Sequence, residues 1–186
     1  IRALPAGHTC WVDQANGVQE PREFASVTEA LRRAEVAPNG QPTNGQSRKK
    51  ELRDALLDSV QHHLIADVDV GLFLSSGLDS ATLTALASEV HSQVKTVTLG
   101  FEEFRETVED EVPGAERIAA HYGTDHETIW VTRADFARAH DDLLAAMDQP
   151  TIDGTNSYFV SRAARQAGLK VALSGLGGDE LFGGYP

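Results

Sequence analysis

The chain has 186 residues, of which 41% are hydrophobic, and this is enough to build the core of one globular domain of ordinary size. Its 16 basic and 28 acidic side chains leave a formal net charge of −12, which repels nucleic-acid backbones and anionic lipid headgroups. Neither nucleic acid nor a membrane surface is therefore expected as a partner. The single cysteine, Cys10, excludes an intramolecular disulfide and favours a reducing, cytoplasmic setting.

The first part of the chain predicts short β structure, one helix and a linker. A strand is expected over residues 9–12 with a turn at Asn16-Gly17, and a helix is expected over residues 26–35 with Ser26 as its N-cap. Residues 38–46 contain two prolines, two glycines and no charged side chain. This composition predicts a linker or mobile loop.

After the linker the pattern changes to alternating helices and buried strands. Leucine or valine recurs every fourth residue from Leu52 to Leu64, which gives one apolar helix face. Strands are predicted over residues 68–74, 94–101, 128–131 and 169–173, and helices over residues 79–90, 115–122, 134–147 and 158–167. The alternation predicts an α/β fold, a parallel sheet with helices on both faces, whose ligands bind beyond the carboxyl ends of the strands. The acidic residues between 102 and 111 are expected to form a solvated loop.

One candidate site is the segment Ser75-Ser76-Gly77-Leu78-Asp79-Ser80, which follows a strand and opens a helix. A helix N-terminus presents unpaired N–H groups and roughly half a positive charge, serine hydroxyls add donors, and glycine lets a ligand approach the backbone. Asp79 suits such an anion site only if a divalent cation is present, since a carboxylate holds Mg²⁺ and Mg²⁺ bridges phosphate oxygens. The alternative interpretation is a serine-capped helix without a ligand.

A second candidate site is the glycine-rich segment from Leu173 to Pro186, which has five glycines in fourteen residues directly after a strand. This composition predicts a loop with unusual backbone freedom. The paired carboxylates of Asp179 and Glu180 repel each other unless a cation or a proton intervenes, so a second Mg²⁺ site is predicted here. The alternative is an exposed acidic turn.

Both segments resemble known ATP-binding motifs. The first resembles the pyrophosphate loop Ser-Gly-Gly-x-Asp-Ser of the N-type ATP pyrophosphatases, with Ser76 at the first glycine. That loop fits synthetases of NAD, GMP or argininosuccinate and tRNA-modifying enzymes equally well. The second closely resembles the asparagine synthetase signature Ser-Gly-x-Gly-x-Asp-Glu-x-Phe-x-Gly-Tyr. Leu4-Pro5-Ala6-Gly7-His8 and Gly123-Thr124-Asp125-His126 also look like segments of that family, so the resemblance covers most of the chain.

This resemblance implies an adenine nucleotide alpha hydrolase-like fold and an ATP-dependent reaction. In the family, the side-chain carboxylate of aspartate attacks ATP, pyrophosphate leaves, and ammonia from a glutaminase domain displaces AMP. The resemblance implies ATP and Mg²⁺ as cofactors, with Asp79 and Asp179 as catalytic residues and as the ligands of Mg²⁺. It implies nucleotide contacts by Phe73, Ser75, Ser76, Gly77, Asp79, Ser80, Leu99, Ser174 and Gly175, and, more weakly, acceptor contacts by Asp153, Thr155 and Asn156.

Two departures from the family pattern leave alternatives open. Leu176 stands where asparagine-forming members commonly carry glutamate, which suggests either altered ammonia handling or another acceptor carboxylate, as in relatives that make β-lactams or amidate sugars and peptides. The family pattern also divides the chain into residues 1–37 as the end of a glutaminase domain, 38–47 as a linker, and 48–186 as a synthetase domain that is incomplete at its C-terminus. An incomplete domain would expose apolar surface, so a homodimer is a further expectation, and a non-catalytic module is the remaining alternative.

Overall fold

The computed structural model describes residues 3–36, 45–149 and 151–184 of the chain. It divides into two compact units, Ile1–Lys49 and Lys50–Pro186. Most of the predicted linker, together with Pro150, Tyr185 and Pro186, lies outside the described residues. No helix in the described part of the chain is long and apolar enough to cross a membrane.

The first unit contains two small antiparallel strand pairs and one helix. Strand β1 (His8–Thr9) pairs with β4 (Arg22–Glu23), and β2 (Val12–Asp13) pairs with β3 (Gly17–Val18). The prediction of one strand over residues 9–12 is wrong, because the chain leaves β1 after Thr9 and changes partner before β2 begins. Helix α1 (Val27–Val36) follows, and the predicted cap is confirmed, since the Glu29 N–H donates to Ser26 Oγ at 3.2 Å.

The second unit is an α/β sandwich around one parallel sheet, as predicted. The strands are β5 (Val70–Phe73), β6 (Lys95–Phe101), β7 (Asp125–Val131) and β8 (Val171–Leu173), in the order β7-β6-β5-β8. The helices are α2 (Gly45–His63), which begins at the end of the first unit, α3 (Leu78–Val90), α4 (Val112–Tyr122), α5 (Arg133–Ala146), α6 (Gly154–Gln166) and α7 (Gly178–Phe182). Every pair of neighbouring strands is parallel.

Helices cover both faces of the sheet because alternate side chains of each strand point to opposite faces. In and just after β5, Leu72 packs with Val60 of α2 and Leu86 of α3, and Leu74 packs with Ala115 of α4. On the other face, Phe73 joins a cluster with residues of α6. The predicted helices on both faces are therefore confirmed.

Several element boundaries differ from the predicted ones. β5 begins at Val70 rather than at residue 68, whereas β7 begins at Asp125, three residues earlier than predicted. Helix α6 begins at Gly154 instead of residue 158. The segment after β8 is not an irregular loop throughout, because the five-residue helix α7 forms within it and carries Asp179 in its first turn.

Candidate functional site

Two turns begin side by side at the carboxyl edge of the sheet. β5 and β8 are neighbours in parallel register, with Leu72 opposite Leu173. We call residues 74–80, which connect β5 to α3, the first turn, and residues 174–184, which follow β8, the second turn. Because parallel strands end at the same edge, the two candidate segments meet in space although about 100 residues separate them in the chain.

The first turn is held by hydrogen bonds of its own serines. The Ser75 and Ser80 hydroxyls lie 2.9 Å apart, and the Ser75 N–H donates to Ser80 Oγ at 3.1 Å. Ser80 Oγ also lies 3.1 Å from the carbonyl oxygens of Ser75 and Gly77. These two hydroxyls therefore shape the turn, while Gly77 is the N-cap residue of α3 and has no side chain to cover the first N–H groups of that helix.

The two turns touch at Asp79. A Cβ atom placed on Gly178 would lie 2.0 Å from Asp79 Oδ2, and one placed on Gly175 would lie 2.9 Å from Asp79 Cβ. Only glycine admits such an approach, so the Asp79 carboxylate rests directly on the backbone beside Asp179. Asp179 in turn packs against Gly184, where an added Cβ would lie 1.9 Å from Asp179 Oδ1. Asp79 and Asp179 thus both lie where the two turns meet, and both line the same cavity.

A cavity of about 780 Å³ opens at this location. Its lining includes the predicted residues Phe73, Ser75, Gly77, Asp79, Ser80, Leu99, Asn156, Ser174, Gly175 and Asp179. Ser76, Asp153 and Thr155 are not part of the lining. A larger groove of about 1180 Å³ lies between α5 and α6, but none of the strand-end motif residues line it, so we place the site in the smaller cavity.

Sequence reasoning missed the acidic wall of this cavity. Glu109, Asp110 and Glu111 line it, and Asp110 is half-buried rather than part of a solvated loop. The Asp110 carboxylate accepts the Val112 N–H at 3.0 Å and the Glu106 N–H at 2.9 Å, so it ties the loop to the start of α4. The signal in the sequence is an acidic residue two positions before a Val-Pro pair, because proline favours the first turn of a helix.

The lining is strongly acidic. Asp79, Asp179, Glu109, Asp110 and Glu111 contribute carboxylates, and no Lys, Arg or His is present among the described lining residues. The donors fit Mg²⁺, which prefers oxygen ligands and is commonly held by one or two carboxylates plus substrate phosphates. Among the described residues no group of three or more His, Cys, Asp or Glu side chains is placed to hold a metal ion by itself.

Apolar side chains line other parts of the cavity. Phe73 is the last residue of β5 and Leu99 lies two residues before the end of the neighbouring strand β6, and both line the cavity. Phe104, Leu176 and Phe182 were not predicted as lining residues, and each remains exposed. Leu176 is 82% exposed, so an apolar side chain lines the cavity at the position where the resemblance implies a glutamate.

Comparison with known proteins supports the family resemblance of these two turns. The family model of asparagine synthase matches residues 51–186. Asparagine synthetase [glutamine-hydrolyzing] 1 of Bacillus subtilis is 38% identical over 138 residues, which cover 73% of this chain and 21% of the relative. A putative asparagine synthetase of Mycobacterium tuberculosis H37Rv is 41% identical over 145 residues, which cover 76% and 22%.

Asparagine synthetase B of Escherichia coli K12 is 36% identical over 150 residues, which cover 74% of this chain and 27% of that relative. The chain thus spans between 21% and 27% of the length of these relatives. The family match includes both turns and every strand of the parallel sheet. The chain belongs to the asparagine synthase family, as the resemblance of its two turns predicted.

Proposed function

We propose that this chain is the nucleotide-binding part of an ATP-dependent amide-forming enzyme, a ligase that joins carbon to nitrogen. The proposed substrates are MgATP, the side-chain carboxylate of aspartate, and ammonia released by a glutaminase domain. The observation that carries the proposal is the contact of Asp79 with the backbone beside Asp179, at one cavity lined by both turns. The names of the relatives support the substrate assignment.

In this reaction a carboxylate oxygen of the acceptor attacks the α-phosphorus of ATP, and the bond from that phosphorus to the bridging oxygen breaks as pyrophosphate leaves. The lone pair of ammonia then attacks the acyl carbon, AMP departs with the bonding electrons, and the new nitrogen loses a proton to solvent. No nucleophile from the protein is required. The protein contributes positioning and stabilisation of charge.

The first turn would bind the pyrophosphate portion through the free N–H groups at the start of α3. The Ser75 and Ser80 hydroxyls fix the shape of this turn, which prepares the N–H groups before the ligand arrives. Asp79 and Asp179 would hold Mg²⁺, which offsets the charge of the phosphates in an acidic cavity. Phe73 and Leu99 would contact adenine, and Ser174 and Gly175 would approach the nucleotide from the second turn.

The acceptor site has less support than the nucleotide site. Of the three residues proposed for it, only Asn156 lines the cavity, because α6 begins early enough to carry this side chain to the edge of the site. Asp153 precedes the helix as its N-cap residue, and Thr155 lies outside the lining. Asn156 is therefore the residue that we propose to contact the acceptor.

Isothermal titration of the chain with MgATP tests the nucleotide part of the proposal. We expect saturable binding that weakens at least about tenfold in Asp79→Ala, because the variant loses a metal ligand. Asp58→Ala is the matched control, since Asp58 lies on α2 outside the lining and should leave the affinity unchanged. Absence of binding by the unmodified chain, or equal weakening in both variants, would contradict the proposal.

A second candidate function is the same chemistry on another acceptor carboxylate. It is favoured by one observation, the exposed Leu176 at the site. A screen of acceptors by pyrophosphate release on the complete gene product distinguishes the two functions. Release that depends on aspartate and ammonia supports asparagine formation, whereas release with a different carboxylate and none with aspartate supports the second candidate.

A further inference from the structure

The first turn is anchored on the strand that precedes it. Leu74 is almost completely buried, its N–H donates to the Val97 carbonyl at 2.9 Å, and its own carbonyl accepts the Thr98 hydroxyl at 2.6 Å. The Leu74 side chain packs against Ala115 of α4. The beginning of the turn is therefore fixed, and the position of the residues that follow depends on what they meet.

Ser76 differs from the other two serines of this turn. Its side chain is exposed, it does not line the cavity, and its hydroxyl makes no hydrogen bond to the described residues. The side chain instead faces the first turn of α4. A Cβ atom placed on Gly114 would lie 2.6 Å from the Cβ of Ser76, closer than such atoms approach in proteins. The space between the turn and α4 thus holds one Cβ atom and not two.

The backbone conformation of Gly114 does not itself require glycine. It lies in the first turn of α4 and is absent from the described residues with positive φ. Glycine in a helix is unfavourable relative to alanine, so an alanine here would be the better helix former. The helix cannot move away easily, since Val112 and Ala115 on either side of Gly114 are buried in the core. Gly114 is therefore required by the neighbouring turn and not by its own helix.

We propose that Gly114 is a positioning residue for the first turn, and that its missing side chain makes room for the Cβ of Ser76. Ser76 stands where the related pyrophosphate loops have glycine. The Cβ of this serine needs space that a glycine would not, and the absence of a side chain at Gly114 provides that space. The pair sets the distance between the turn and α4, and hence the direction in which the start of α3 presents its N–H groups. This inference rests on the proposed function, because the turn is positioned for a phosphate ligand.

A double-mutant cycle tests the proposal in the full chain, with the dissociation constant of MgATP as the main measurement. We expect Gly114→Ala to weaken binding about tenfold or more when residue 76 is serine, and less than about twofold when residue 76 is glycine. In a Ser76→Ala background the Cβ remains, so the Gly114→Ala penalty should remain as well. Gly45→Ala is the matched control, because among the described residues nothing beyond its own helix and chain neighbours lies within 4 Å of a Cβ placed there.

The thermal unfolding midpoint of each variant, measured without nucleotide, separates positioning from folding. If Gly114→Ala lowers the midpoint so far that the variant is unfolded at the assay temperature, the Ser76→Gly/Gly114→Ala variant must recover both folding and MgATP affinity. Equal penalties of Gly114→Ala in the serine and glycine backgrounds, with a chain that binds MgATP, would overturn this inference alone. A chain that binds no MgATP in any form would overturn the proposed function together with it.

Discussion

Gly178 carries the contact on which the candidate site depends. It lies at the start of α7, and its backbone is not in the left-handed region, so alanine is compatible with the conformation. The added Cβ, however, would lie 2.0 Å from Asp79 Oδ2. The position is thus restricted by the close approach of the first turn and not by its own backbone.

Replacement of Gly178 by alanine is expected to displace the Asp79 carboxylate and to weaken MgATP binding by about tenfold or more. The thermal unfolding midpoint should change little, because neither residue belongs to the apolar core. Calorimetric titration and thermal unfolding of the same preparation check both statements. Gly45→Ala serves as the control, and an unchanged affinity in Gly178→Ala would show that the contact does not orient Asp79.

His126 lies in a chain of polar contacts between β6, β7 and α4. Its Nδ1 lies 2.9 Å from the Thr96 hydroxyl, which is 2.8 Å from the Thr124 hydroxyl, and its Nε2 lies 3.3 Å from the Thr128 hydroxyl. Thr128 donates to the Glu116 carboxylate at 3.1 Å, so Nε2 of a neutral His126 donates to Thr128. Burial lowers the pKa of His126, and the Glu116 carboxylate acts in the opposite direction.

The lowered pKa of His126 predicts a pH dependence of stability. The unfolded chain protonates this imidazole near its usual pKa of about 6.5, whereas the folded chain resists protonation until lower pH. The contribution is therefore complete above that pH and is lost as the pH falls below it. Denaturant titrations between about pH 7.5 and pH 5 should give a smaller slope of unfolding free energy against pH in His126→Gln than in the unmodified chain. Equal slopes would contradict the assignment.

The N-terminus of α5 is fixed by a reciprocal pair of hydrogen bonds. The Asp135 N–H donates to the Thr132 hydroxyl at 3.1 Å, and the Thr132 N–H donates to the Asp135 carboxylate at 3.0 Å. The Thr132 hydroxyl, the Thr132 N–H and Arg138 together lower the pKa of Asp135 to about 2. This capping box orients the helix that follows the edge strand β7.

Removal of the cap by Thr132→Ala is expected to lower the free energy of unfolding by about 1 kcal/mol at neutral pH. Because the pKa of Asp135 falls from 3.8 to about 2 on folding, the stabilisation is complete above pH 3.8 and is lost as the pH falls towards 2. Chemical denaturation at pH 7 and pH 3 should give a larger deficit at the higher pH. Thr132→Ser, which keeps the hydroxyl, should lose much less.

The sequence predicted the elements that have a strong internal pattern. Apolar runs identified the strands β5, β6 and β8. The recurrence of an apolar residue every four positions from Leu52 to Leu64 identified a helix, because burial of one face imposes this period. The four two-residue strands of the first unit were not predicted individually, since a run of two residues is too short to show the alternation of a strand. Helix α7 was also missed, because the five glycines in and around it favour a loop.

The candidate site was predictable where its residues are adjacent in the chain, and not where they meet in space. Asp79 and Asp179 were identified from two local motifs, and their roles as metal ligands remain predictions. Glu109 and Glu111 were missed because only the docking of α4 brings them to the cavity. The contact between Ser76 and Gly114 joins the first turn to α4, and no sequence pattern within either segment predicts it.

At the scale of the molecule, the core belongs to the second unit. Every buried hydrophobic side chain among the described residues lies at or beyond Val60. In the first unit, by contrast, Trp11, Val18 and Phe24 are each more than 70% exposed. Because the sheet and its covering helices supply their own apolar clusters, we expect residues 45–186 to fold without the preceding segment.

Deletion of residues 1–44, which leaves α2 intact, should therefore lower the thermal unfolding midpoint by less than about 4 °C, the shift that corresponds to roughly 1 kcal/mol in a chain of this size. The affinity for MgATP should remain within about twofold, because the cavity lining begins at Phe73. Deletion of residues 1–64 is the control, since it also removes Leu56, Val60 and Leu64 from the cluster around Leu72 and Leu86. That shorter chain is expected to be unfolded at room temperature. Equal loss of stability in both deletions would place an essential part of the core before α2.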